Sequence, residues 1–133
     1  MKRIPPISTL MTPFPWHLDV AGSVRDARDM MIKQDIHQLP ITNEEHHVLG
    51  IVRLEALPDT DDPLAEWLEP VPTLDAHTRA DEVLDLMAES HQPVVVLCHH
   101  KHLAGILTWT DVCRRYAEQL REPFLPPEGG DAA

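Results

Sequence analysis

Apolar positions along the chain follow a short grammar that is read twice. Val24, Ala27, Met30 and Met31 recur three and four residues apart, which predicts a helix with one buried face. Two apolar runs follow, Gln38–Ile41 and Val48–Val52, separated by the polar stretch Asn43-Glu44-Glu45-His46-His47. Short, β-branched and close together, they predict a hairpin. The same order then returns. Ala80, Val83, Leu86 and Met87 predict a second helix, and Val94–Cys98 with Leu103–Thr108 a second hairpin around His99-His100-Lys101-His102. A proline-bearing extended stretch opens each copy, Thr12-Pro13-Phe14-Pro15 and Glu69-Pro70-Val71-Pro72.

Matching positions are offset by 57, then 56, then 55 residues along the two copies, so they differ by two single-residue indels, each of which makes the first copy one residue longer. Two copies predict a face-to-face pair rather than a solenoid. The helix starts carry Ser23 with Asp26 and Thr78 with Asp81, both read as capping boxes. The closing element differs. In the second copy Thr110 or Asp111 opens a helix bearing Val112, Cys113, Tyr116 and Leu120, whereas Pro58 cuts the matching Leu54–Leu57 short. Pro63 suits a first helical position, with Leu64–Leu68 a short helix. The organisation expected is thus α+β, with two tandem β-α-β-β-α motifs packed about a pseudo-twofold axis. The first spans residues 7–57 and the second 63–118, with an acidic linker at 58–62. The proline- and glycine-bearing stretch 119–133 is expected to be disordered.

Composition narrows the function classes. At 43% apolar, the 133 residues can build a core. With 22 acidic against 11 basic residues the net charge is −11, which argues against nucleic acid and anionic membranes as partners. No apolar run approaches the roughly 18 residues of a membrane span, and no signal-peptide stretch follows the basic N-terminus. Cys98 and Cys113 read as small core residues, and the cytoplasm is the expected compartment.

The doubled order resembles a tandem pair of cystathionine-β-synthase (CBS) domains, the Bateman module. The first copy resembles the family in Leu10-Met11-Thr12, Ala27-Arg28-Asp29-Met30-Met31, Ile36-His37-Gln38-Leu39-Pro40-Ile41 and Val48-Leu49-Gly50-Ile51-Val52. The second does so in Val83-Leu84-Asp85-Leu86-Met87 and in Gly105-Ile106-Leu107-Thr108-Trp109-Thr110-Asp111-Val112. The resemblance implies domains packed sheet to sheet, with clefts that receive AMP, ADP, ATP or a related adenosyl compound. It also implies a homodimer that reports ligand binding to a regulated partner protein, with no cofactor required.

The candidate site follows from residue chemistry. Asp111 at a helix start can accept hydrogen bonds from a ribose diol. Free amides and the positive dipole end attract a phosphate there, to which Thr108 can donate. Thr108, Thr110 and Asp111 therefore form a candidate ribose-phosphate cradle, though the same pattern is an ordinary capping box needing no ligand. The family resemblance places Thr73 and the strand at Val94 and Val95 against the base. In the first copy Arg53 replaces the hydroxyl and Ala56 the aspartate, so an equivalent site is not expected. Arg53 could instead reach a phosphate held by the other half. Arg114 and Arg115 are similar candidates, with pairing to Asp111 or Glu118 as the plain alternative.

Nine histidines raise a metal site, but adjacent residues on an extended chain point opposite ways and solvated loop histidines are commoner. No metal is expected. Nor is catalysis, since neither a nucleophile elbow, a phosphate-binding glycine loop nor a His-Glu-x-x-His helix occurs. Trp109 and the methionines at helical spacing read as core. The rival to a ligand-sensing module is a ligand-free dimerisation or interaction scaffold.

Overall fold

A computed structural model describes residues 3–122. Its strands form two sheets. One contains β2 (Leu18–Asp19), β3 (Gln38–Thr42) and β4 (Val48–Arg53), in that order. The other is ordered β1 (Thr12–Pro13), β7 (His102–Thr108), β6 (Val94–His99), β5 (Thr73–Asp75). Helix α1 (Val24–Gln34) belongs with the first sheet, and α2 (Ala80–Ser90) with the second. Helix α3 (Trp109–Arg121) continues directly from β7. Both predicted hairpins form, each with a register irregularity where its strand turns toward the polar loop.

The alternation of side chains in β6 explains how two layers of core arise. Val95 and Leu97 pack under α2 with Val83 and Met87, whereas Val94 and Val96 face the other way and meet Ile51 and Ile106 in a third cluster. In the first copy Leu39, Ile41 and Val52 pack on α1 through Val24, Ala27 and Met31. The pair of sheets thus shares one apolar seam and keeps one helix-covered core apiece.

The two copies exchange their opening segments. Strand β1 of the first copy pairs antiparallel with β7 of the second, Thr12 opposite Ile106 and Pro13 opposite Gly105. Reciprocally, Glu69 bridges Ile51 of β4, with hydrogen bonds of 2.8 and 3.0 Å. Ile7 lies fully buried in the second core, and Leu64 in the first. Burying a side chain of that size contributes about 1.5–3 kcal/mol. The repeat boundaries read from sequence therefore do not coincide with the packing units: residues near 7–13 and 64–69 each complete the opposite half.

The exchange also corrects a cap. Ser23 and Asp26 do form a capping box on α1. Thr78 and Asp81 do not; α2 starts after Arg79, whose guanidinium forks onto the Asp81 carboxylate at 2.8 and 3.1 Å. Instead the Ala80 amide donates to the Pro5 carbonyl at 2.9 Å, as Val24 does to Asp62 at 2.8 Å. In both copies the chain leading into a crossing segment satisfies the helix end.

Three smaller expectations are also revised. Pro63 caps a 3-10 turn at Leu64–Trp67 rather than sitting inside a helix. Helix α3 runs through 119–121, into the stretch expected to be disordered; the remainder of that expectation lies outside the described residues. Cys113 is exposed, while Cys98 is half-buried; both are free thiols.

Candidate functional site

The end of β7 and the start of α3 form one wall of a cleft of about 500 Å³ between the copies. Thr108 caps α3: its Oγ1 accepts from the Asp111 amide at 3.2 Å, and its own amide donates to Asp111 Oδ2, also at 3.2 Å. The Thr108 hydroxyl donates to the same oxygen at 2.9 Å. The plain capping reading is thus realised in full. It consumes only one carboxylate oxygen, for Asp111 Oδ1 takes no hydrogen bond from the described residues. Thr110 and Arg114 line the same wall.

The facing wall comes from the first copy. Asp35, Ile36, His37, Gln38 and Pro40 occupy the turn after α1 and the start of β3. Thr12, Pro15 and Trp16 close the top, brought there by the crossing of β1 onto β7. Ile36, Pro40, Ile106 and the half-exposed Trp16 give the cleft an apolar lining around a few polar groups, the usual character of a small-ligand site. Two residues before Trp16, Phe14 is 90% exposed and holds a left-handed backbone (φ 47) that bulky residues seldom adopt.

Of the residues singled out from sequence, Thr108, Thr110 and Asp111 come together and four others do not. Val94 and Val95 are sealed in the cores, one facing each layer. Thr73 lies on β5 beside a separate hollow of about 400 Å³, lined also by His47, Asp75, Cys98, His100 and Lys101. Arg53 is occupied by its own neighbours. Its Nε donates to both Glu69 oxygens at 2.9 Å and its Nη1 to Glu55 at 3.1 Å. Glu69 thereby holds the guanidinium more firmly protonated than usual, with Glu55 adding less. Arg115 donates to the Thr9 carbonyl at 2.8 Å, and neither it nor Arg114 forms the expected pair with Asp111 or Glu118.

The residues missed were the whole first-copy wall. Ile36 through Pro40 were visible as a motif, but their side of the cleft depends on which copy faces which helix.

Around the second hollow, His99 approaches His77 and His100 with ring centroids 5.6 and 4.1 Å apart. His47 of one hairpin meets His102 of the other at 5.5 Å. Among the described residues no three His, Cys, Asp or Glu groups are placed to hold a metal ion. Asp75 is kept below the usual carboxylate range, first by the His77 backbone amide and then by its ring. Burial, with Asp75 nearby, pushes the Cys98 thiol up, which makes it a poor nucleophile.

Comparison with known proteins gives one family and one fold. The family model for the CBS domain matches residues 7–57 and 64–118. A Vibrio cholerae protein provisionally assigned to acetoin utilization (AcuB) superposes with a TM-score of 0.81 at 22% identity, covering 93% of this chain and 100% of its own. The protein CBSX2, solved in complex with AMP, gives 0.74 at 19% identity, covering 88% of this chain and 98% of its own. The CBS domain pair of protein MJ0100, solved with 5′-methylthioadenosine and S-adenosyl-L-methionine, gives 0.74 at 22%, over 88% and 99%. At these identities the likeness speaks for the fold. No protein with curated function matches the sequence.

Proposed function

The chain belongs to the CBS-domain family, and from that premise we propose that it is a regulatory module that senses an adenosyl compound. The ligand is held in the cleft between the α3 start and the first copy's Asp35–Pro40 wall. The ribose diol donates to Asp111, the base lies among Ile36, Pro40, Ile106 and Trp16, and Thr110 with Arg114 meets the 5′ substituent. One observation carries the reading: the Asp111 carboxylate lines an open cleft and spends a single oxygen on its own helix. The adenosyl ligands of CBSX2 and MJ0100 support the same class here. Because the cleft has one wall from each copy, occupancy favours whichever relative placement of the copies fits the ligand. Differential affinity of that kind is what a sensor needs.

The signal passes, in this reading, to a partner protein in the cytoplasm through a homodimer. No residue of α3 is buried, and Tyr116 and Leu120 are 61% and 43% exposed on its length, a face that a second copy would cover. No helix is long and apolar enough to cross a membrane among the described residues. No catalytic role is assigned.

The test is calorimetry and thermal unfolding with AMP, ADP, ATP, 5′-methylthioadenosine and S-adenosylmethionine, with sedimentation on the same samples. Binding should raise the melting temperature with ligand concentration. Asp111→Asn should weaken binding by about tenfold or more, since a hydrogen bond to a charged group is lost. Direct affinities matter because Asn also perturbs the α3 cap. A dimer that binds none of these compounds at millimolar levels would leave the scaffold reading in possession.

A further inference from the structure

We propose that the charges around the cleft select an adenosyl compound whose 5′ substituent is neutral or cationic, and turn polyphosphates away. This rests on the adenosyl reading of the same cleft. Two carboxylates, Asp35 and Asp111, line it against the single guanidinium of Arg114. None of the three takes part in an ion pair among the described residues. Asp35 is the C-cap of α1 in a left-handed conformation (φ 55, ψ 50), so its carboxylate adds to the negative end of that helix.

The usual counterweight, a helix N-terminus facing the ligand, is largely spent. The Trp109 amide donates to the Pro93 carbonyl at 2.9 Å, and the Asp111 amide to Thr108 Oγ1 at 3.2 Å. Of the three opening amides of α3, only that of Thr110 is left for an anion. The Arg114 guanidinium with the Thr110 hydroxyl and amide, beside the Thr12, His37 and Gln38 side chains that also line the cleft, can hold a carboxylate or a single phosphate. A triphosphate brings further negative charges toward Asp35, within a chain that already carries a net charge of −11. A sulfonium or ammonium group placed there gains what the phosphate loses.

The measurement is calorimetry on the full chain at low salt, without magnesium, using adenosine, 5′-methylthioadenosine, S-adenosylmethionine, AMP and ATP. S-adenosylmethionine and 5′-methylthioadenosine should bind about tenfold or more tightly than ATP, with AMP between. The preference should shrink as salt screens it. Asp35→Asn, which tolerates the left-handed conformation, should cut the ratio of S-adenosylmethionine to ATP affinity on the order of fivefold. In the same variant adenosine, which carries no charge, should change in affinity by less than S-adenosylmethionine does. ATP binding as tightly as adenosine, or a ratio unmoved in Asp35→Asn, overturns the charge selection while leaving the adenosyl site standing. Failure of every compound, adenosine included, overturns the site itself and the selection with it.

Discussion

The two copies build the same junction, a strand running into a helical turn, and treat it oppositely. At the end of β7, Thr108 and Asp111 close a cap that leaves one carboxylate oxygen free beside an open cleft. At the end of β4, Arg53 stands where Thr108 would, Ala56 where Asp111 would, and the turn Leu54–Ala56 has no side-chain cap. Glu69, carried in by the crossing segment, takes the guanidinium on both oxygens. One junction satisfies itself with protein groups, and the other has capacity to spare. A duplicated fold thus keeps its architecture while two positions decide whether a junction is closed by protein groups or leaves a carboxylate oxygen free.

The strongest way to break the contrast is to push on the crossing segments. Gly50 lies under the Glu69 backbone, where an added Cβ would sit 2.6 Å from the carbonyl oxygen. Gly105 lies under the side chain of Met11, which can swing aside. Gly50→Ala should cost about 1–3 kcal/mol by urea unfolding and loosen the Arg53–Glu69 pair; Gly105→Ala should cost clearly less. Equal losses would mean that the two crossings are not distinguished by what covers them. The next effect is at the caps. Thr108→Ala should cost about 1 kcal/mol, as the loss of an N-cap hydroxyl does. Arg53→Ala should cost less than Thr108→Ala, and its loss should fade at high salt, because the pair is part-exposed and screened. A salt-independent loss at Arg53 would place its contribution in packing of its stem rather than in charge.

The elements were legible because they are local. Spacing of Val24, Ala27 and Met31 on one helix and Val83 and Met87 on the other needs only the helical period, and all five are buried. Thr108 and Asp111 were legible for the same reason, lying three residues apart on one turn. What faces them was not. Thr73, Val94 and Val95 belong to the same copy as Asp111, and nothing in the local pattern says that a first strand pairs outside its own repeat. That pairing is a register of β1 on β7 across some ninety residues, fixed by tertiary packing. The false cap at Thr78 has the same root. A carbonyl from Pro5 serves the helix end, and Asp81 goes to Arg79.

The reciprocal crossing makes the covalent join between the halves dispensable as a tether. Cleavage between Pro58 and Pro63 would leave two polypeptides still latched, each holding the other's leading arm against its sheet. Expressed apart, each would display an unpaired edge and a vacant socket, that of Ile7 or that of Leu64. Co-expressed, the fragments have the complementary pieces needed to reassemble.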